Sequence, residues 1–197
     1  MTDVPDDGTA VAPEFLPLRA LAYVVVTVLA SGVALAAATL VLPQFARGYL
    51  ADHAENAIAV LSRVVLVATA IMFLVWFRRA RINAERSSWR QRRARAWTVL
   101  GWIIPIGNLW IPFQLMGDIW RAGLPPERRT STAWLPAVWW ASWLLTGISP
   151  IRTGTRSSSA SYGQFPHSWP TLCLYAIAGL TLIAIIKIVS SGPVGEP

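Results

Sequence analysis

The chain has 197 residues, of which 54% are hydrophobic and only 14% are charged, and its mean hydropathy is +0.47. Soluble domains carry about 25% charged residues, so this composition excludes an ordinary soluble domain and indicates an integral membrane protein. The 11 tryptophans agree with that class, because indole rings anchor membrane proteins at the bilayer interfaces.

The N-terminal residues 1–15 are predicted to form a disordered cytoplasmic tail. They do not resemble a secretory signal peptide, which begins with basic residues and has a shorter apolar run. Residues 20–42 are then long and apolar enough to form the first membrane span. Alanine recurs at every fourth position of this span, at Ala30, Ala34 and Ala38. Such a stripe lets another helix approach closely, although a general abundance of small residues explains it equally well.

Three further apolar runs are predicted to span the membrane, at residues 57–77, 133–150 and 171–189. With the first span they define a helical membrane domain over residues 16–190, followed by a short C-terminal tail. The predicted fold class is therefore an all-α membrane protein with four transmembrane helices. An interrupted helical segment lies between the second span and the third.

A strongly basic segment, residues 78–95, follows the second span and contains eight arginines against one glutamate. Short arginine-rich segments beside spans stay in the cytoplasm. This places the N-terminus on the cytoplasmic side of the cell (plasma) membrane and residues 44–56 on its outer side. Contact of Arg78–Arg95 with anionic lipid headgroups is expected as a consequence. Nucleic-acid binding is not expected, because the chain has no recognisable motif for it and no soluble domain to carry one.

The stretch "WIIPIGNLWIPF" lies in the interrupted region, residues 96–122, which we call the broken segment. Pro105 and Gly107 interrupt helical structure there, since proline lacks an N–H and glycine relaxes the backbone. The pattern predicts two short helices joined at these residues, the first beginning near Trp89 and the second N-capped by Asn108.

Each apolar half of the broken segment has about ten residues, or about 14 Å of helix, which reaches only the middle of a bilayer. The halves either stack as a kinked fifth span or fold back as a re-entrant hairpin. Keeping the basic residues on the cytoplasmic side favours re-entry, which also places the C-terminus in the cytoplasm. Backbone that is not helical at membrane depth needs a polar partner, so the break is either a binding site or a kink required for packing.

Five residues in or near the membrane are candidates for substrate binding. Arg63 lies about six residues into the second span, where a charge is costly. Its side chain either snorkels to the surface, pairs with an acidic residue, or takes part in substrate binding. Asp118 is placed to pair with Arg121 at a spacing of three, or with an arginine of the basic segment. The candidates are Asn108, Gly107, Pro105, Arg63 and Asp118.

The sequence offers no catalytic chemistry that can be recognised. There is no nucleophile and base pair, and no glycine-rich phosphate loop. The two histidines, His53 and His167, are far apart. Asp52 and Glu55 lie near His53, but no second histidine or cysteine joins them at ligand spacing, so no metal site and no cofactor are predicted. The single cysteine, Cys173, excludes an intrachain disulfide.

Two quoted stretches carry a family resemblance: "VWFRRARINA", and "WTVLGWIIPIGNLWIPFQLMGDIWRA" after a basic spacer. They resemble the membrane family called domain of unknown function (DUF) 4328, over about residues 57–190. The matching positions are Trp76, Arg79 or Arg81, Asn83, Trp102, Pro105, Asn108 and Pro112. The resemblance implies a multi-pass membrane protein of actinobacterial type and implies no particular activity.

Three functions agree with these patterns. A scaffold or partner-binding membrane protein is favoured, since catalytic chemistry is lacking and the spans carry a small-residue stripe and many tryptophans; its partner would be a membrane protein or a second copy. The alternative is a small transporter or channel with its site at the broken segment. A lipid-acting enzyme that uses Asp118 and Asn83 is the weakest of the three.

Overall fold

The computed structural model describes residues 15–45, 49–87, 93–152 and 169–192. Within those ranges the chain is helical and contains no β-strand. The helices are α1 (Arg19–Phe45), α2 (Tyr49–Arg86), α3 (Trp97–Ile103), α4 (Ile111–Gly123), α5 (Pro126–Ser131), α6 (Trp134–Arg152) and α7 (Trp169–Ser191), with a 3-10 turn at Gly107–Leu109.

Three of these helices contain stretches long and apolar enough to cross a membrane. The stretches are Arg19–Ala38 in α1, Val60–Arg86 in α2 and Trp169–Ser191 in α7. They agree with the first, second and fourth predicted spans. The third predicted span forms helix α6, which has 19 residues and is not among the three.

The long helices pack with alternating directions. The start of α1 lies beside the end of α2, where Leu16 bonds to Asn83, and Gly32 of α1 approaches Val65 of α2. Helix α7 also runs antiparallel to α1, since Gly179 approaches Val33 while Ser190 and Arg19 border one groove. The first turn of α1 and the last turns of α2 and α7 therefore share one end of the bundle, which we call the basic end.

The helices extend beyond the predicted spans. Helix α1 continues through Pro43 to Phe45, and α2 begins at Tyr49, so most of the predicted outside loop at 44–56 is helical. Helix α2 also runs on to Arg86, which makes half of the predicted basic loop helical. Arginine and alanine are good helix formers, which allows this extension. The predicted terminal tails lie almost wholly outside the described residues.

The core of the protein lies where α2, α4 and α7 meet. Trp76, Phe77, Met116, Ile119 and Ile185 are fully buried there. By contrast, large apolar side chains remain exposed along the outer surface, as expected for helices that face lipid. They include Val60, Val64, Val67 and Ile71 on one side of α2.

Two of the three alanines in the small-residue stripe of α1 are not covered by the described part of the chain. Ala30 and Ala34 are exposed and Ala38 is half-buried. The buried face of α1 is a different one, formed by Ala22, Val25, Leu29 and Ala36.

Candidate functional site

The two halves of the broken segment fold back on each other. Gly101 of α3 lies against Ile111 at the start of α4, and Arg93, before α3, donates from Nε to Gln114 Oε1 at 3.0 Å. Residues just before the turn contact residues just after it, and residues further before it contact residues further after it. The two short helices are therefore antiparallel. We call this unit the hairpin, residues 93–124.

Two glycines allow the hairpin to close tightly. A Cβ added to Gly101 would lie 2.7 Å from Ile111 Cγ2, and one added to Gly107 would lie 2.9 Å from Ile111 Cδ1. Neither distance is compatible with ordinary van der Waals contact, so any larger residue at Gly101 would push the two helices apart. The chain therefore reverses its direction at the interruption "PIGN".

The helix boundaries within the broken segment differ from the prediction. Residues 93–96 form a bend and a turn, so no continuous helix runs from Trp89 to Ile104, and α3 begins at Trp97. Asn108 is not an N-cap, because it lies within the 3-10 turn and Trp110 precedes α4. Extended backbone at Ile104 ends α3, as expected for a residue before proline.

Aromatic rings attach helix α3 of the hairpin to α2 and α6. The ring of Trp102 meets Phe73, Phe77 and Trp140 edge to face, with centroids 5.7, 6.5 and 5.8 Å away. Such pairs stabilise by about 0.5–1.5 kcal/mol each beyond the burial of their area. Trp140 of α6 also donates from Nε1 to the carbonyl oxygen of Leu109 at 2.8 Å.

A cavity of about 230 Å³ lies beside this aromatic cluster, between α1, α2, α3, α6 and α7. Its walls are largely aromatic and aliphatic, and the aromatic members are Phe73, Trp102, Trp139, Trp143 and Tyr175. The indole Nε1 of Trp102 is buried and has no hydrogen-bond partner among the described residues. A buried donor without an acceptor costs free energy, and Trp102 is one of the residues that line the cavity.

A polar network closes the base of the hairpin at the basic end. Arg81 is 1% exposed; its Nε donates to Glu85 Oε1 at 3.1 Å and its guanidinium also donates to the carbonyl oxygen of Arg93. Arg95 donates to the other carboxylate oxygen of Glu85. Since Arg93 also bonds Gln114, the network joins α2 to the segment before α3 and, through it, to α4 at the base of the hairpin.

Two further side chains of α2 join the bundle at this end. Asn83 is fully buried; its Oδ1 accepts from the Leu16 N–H at 2.9 Å and its Nδ2 donates to the Leu16 carbonyl at 2.8 Å. Trp76 donates from Nε1 to Ser190 Oγ at 3.0 Å. These bonds attach α2 to the start of α1 and to the end of α7.

The structure places three predicted site residues together at the turn. Pro105 is exposed and Gly107 is buried. Asn108 is half-buried; its backbone N–H donates to the Ile104 carbonyl at 2.8 Å. Its side-chain Oδ1 is buried without a hydrogen-bond partner among the described residues.

The other two predicted site residues lie elsewhere. Asp118 is buried on α4 and accepts from Arg121 Nη1 at 3.2 Å, which confirms the predicted pairing at a spacing of three. It is ten residues, or about 15 Å, along the chain from Asn108. Arg63 is exposed on α2, about 15 Å before Phe73, the α2 residue that contacts Trp102. The five candidates therefore do not form one site.

The prediction missed Phe73, Trp139 and Tyr175, which line the cavity. The sequence contains one signal for them, the Trp139–Trp140 pair in an apolar run. Nothing in the local pattern connects this pair with Tyr175, which lies on another helix.

In the part of the chain that the structure describes, these observations define a helical protein whose apolar helices suit a membrane and whose broken segment forms a helical hairpin packed against the bundle. A family model described as Domain of unknown function (DUF4328) matches residues 43–187, and the chain belongs to that family. This confirms the resemblance seen in the motifs, while the actinobacterial source stays a prediction. No curated protein and no solved structure matches the chain.

Proposed function

We propose that the chain crosses the cell membrane four times, through α1, α2, α6 and α7, with the hairpin entering from the basic end and returning to it. The 19 residues of α6 give about 28 Å of helix, close to the hydrocarbon thickness of a bilayer. The contact of Arg93 with Gln114 supports re-entry, because it brings the start of the hairpin to its second helix. The basic end and both termini then face the cytoplasm, where Arg78–Arg95 contacts anionic headgroups.

Cysteine labelling tests this topology. In a Cys173→Ala background, Glu127→Cys places a thiol at an exposed position after the hairpin, and His53→Cys places one at an exposed position near the start of α2. A membrane-impermeant thiol reagent should label the cysteine at 53 in intact cells and the one at 127 only after permeabilisation. Labelling at 127 in intact cells would make the broken segment a fifth span.

The function that the geometry supports best is the binding of a lipid-soluble molecule as the protein's partner. The aromatic-lined cavity with the unpartnered Trp102 Nε1 hydrogen carries this proposal. A dry apolar cavity of about 150 Å³ already binds benzene, so a cavity of this size accommodates a ring or a short hydrocarbon segment. The ligand class is an apolar molecule with one hydrogen-bond acceptor, such as a carbonyl group, placed near Trp102.

Photo-crosslinking tests this binding. The probe is a fatty acid with a diazirine in its chain, added to the protein in zwitterionic nanodiscs, and the crosslinked residues are mapped by mass spectrometry. Ala70 lines the cavity, so Ala70→Phe should abolish crosslinking to Trp139 and Tyr175. Val67→Phe is the matched control, because Val67 is an exposed residue of the same helix that does not line the cavity.

A second variant tests the hydrogen bond. Trp102→Phe keeps an aromatic ring but removes the donor. This change should weaken binding of a carbonyl-bearing probe by about five-fold and leave binding of a pure hydrocarbon probe unchanged.

For the cavity itself, equal crosslinking in the wild type and in Ala70→Phe would exclude it as the binding site.

Association with another membrane protein or a second copy is the second candidate. It is favoured by the exposure of Ala30 and Ala34, which leaves the small-residue stripe of α1 open to another helix. Ala34→Leu should weaken such association, measured by single-molecule photobleaching in bilayers. Val24→Leu serves as the control at an exposed apolar position of the same helix; an unchanged oligomer distribution in Ala34→Leu would reject this candidate.

A further inference from the structure

A groove lies between α1 and α7 at the basic end, separate from the aromatic cavity. Its volume is about 410 Å³. Seven residues line it: Arg19, Ala22, Tyr23, Val26, Lys187, Ser190 and Ser191. Two of them are cations, and no carboxylate is among the lining residues in the part of the chain that the structure describes. The lining thus contributes two positive charges, which favour an anion.

The chemical character of the groove changes with depth. Arg19 is the first residue of α1 and is exposed, while Val26 lies two turns further along, about 10 Å deeper into the bundle. Tyr23, which is 72% exposed, lies between them. Tyrosine favours the level where headgroups meet hydrocarbon, because its ring is apolar and its hydroxyl is polar. On α7, Lys187 lies near the level of Val26, because each is about 11 Å of helix from the contact of Gly179 with Val33. A lysine at that depth brings its amine to the mouth by snorkelling.

A buried hydroxyl adds a hydrogen-bond donor to this groove. Ser190 is 3% exposed, and its Oγ accepts the indole hydrogen of Trp76 at 3.0 Å. That bond uses a lone pair of the hydroxyl oxygen and leaves the hydroxyl hydrogen to be donated. Among the described residues no acceptor is assigned to it. The neighbouring Ser191 differs, since its hydroxyl donates back to the Lys187 and Ile188 carbonyls.

We propose that this groove binds one anionic phospholipid of the leaflet at the basic end. The phosphate lies between Arg19 and Lys187 within reach of the Ser190 hydroxyl, and an acyl chain passes Tyr23 and Val26. Basic pockets between transmembrane helices bind anionic headgroups by this combination of charge and apolar depth. The site is distinct from the general attraction of Arg78–Arg95, because it has a cavity and an apolar wall. It does not depend on the ligand of the aromatic cavity.

Native mass spectrometry of the detergent-solubilised full chain tests the site. The probes are phosphatidylglycerol, phosphatidylcholine with the same chains, and inorganic phosphate. One phosphatidylglycerol should remain bound where phosphatidylcholine and phosphate do not. Lys187→Gln and Arg19→Gln should each weaken retention by about five-fold, the effect expected from one cation near an anionic headgroup.

Matched charge removals separate the groove from the basic segment. Arg78 and Arg86 are exposed arginines of α2 outside the groove lining, and Arg78→Gln with Arg86→Gln should leave the tight lipid bound. Val26→Trp, which fills the apolar part without changing the charge, should displace phosphatidylglycerol. If inorganic phosphate binds as well as the lipid, or if the Arg78 and Arg86 changes release lipid as effectively as those at Arg19 and Lys187, the proposal is overturned.

Discussion

The indole of Trp140 donates a hydrogen bond to the carbonyl oxygen of Leu109 over 2.8 Å. The donor belongs to α6 and the acceptor to the 3-10 turn of the hairpin, so one side chain fastens the interrupted backbone to a neighbouring helix. Non-helical backbone in a membrane protein requires such partners. The break in the apolar segment is thus stabilised from outside the segment.

Trp140→Phe should destabilise the protein by about 1 kcal/mol, since the ring is kept and the hydrogen bond is lost. The measurement is thermal unfolding in detergent, followed by tryptophan fluorescence. Trp134→Phe is the control, because Trp134 is 56% exposed. Equal effects of the two substitutions would show that the Leu109 carbonyl finds another donor.

Gly101→Ala should lower the free energy of unfolding by about 1–3 kcal/mol. The new methyl group would lie 2.7 Å from Ile111 Cγ2 and 3.2 Å from Ile111 Cβ, so rotation of the Ile111 side chain alone would not remove the overlap. Gly117→Ala on α4 is the matched control. A Cβ there meets only the end of the Arg121 side chain at 3.9 Å, so higher helix propensity should stabilise the protein by up to about 1 kcal/mol. Denaturation midpoints of both variants check the pair; stabilisation by Gly101→Ala would rule out the tight crossing.

Asn83→Leu should release the start of α1, since both hydrogen bonds to the Leu16 backbone are lost. Hydrogen exchange should accelerate at residues 16–22 while exchange in α6 stays unchanged. Ser87→Ala controls for a general effect, because the Ser87 hydroxyl makes a local bond, to the Ala84 carbonyl. Unaltered protection of the Leu16 amide in Asn83→Leu would contradict the assigned role.

Asn108→Leu separates a ligand contact from a packing residue. The side-chain Oδ1 of Asn108 is buried and has no partner among the residues that the structure describes, so removal of this polar atom should leave the melting temperature unchanged or raise it. Liposome uptake assays of the same variant address the transport alternative: loss of uptake with retained stability supports a site at Asn108. A lower melting temperature would show that Asn108 has a polar partner in the folded protein.

The family motif illustrates what local sequence could indicate. The spacing of Pro105, Gly107 and Pro112 marks a break in an apolar helix, and that break is present. The motif residues Trp76 and Asn83, however, act through Ser190 and Leu16. Those partners are more than sixty residues away in the chain, and no periodicity relates them. The motif is therefore visible in sequence, while its role in assembling the bundle is not.

The sequence by itself determined the apolar, membrane-compatible character of the chain, its helical architecture, the position of the break and the family. Each of these follows from local composition, since apolar length predicts spans, and proline and glycine interrupt helices wherever they occur. Tertiary structure decided that the two halves fold back, that Arg81 is buried, and that Phe73, Trp102 and Tyr175 border one cavity. Those features depend on which helix faces contact each other, and that choice is made by packing between residues far apart in the chain.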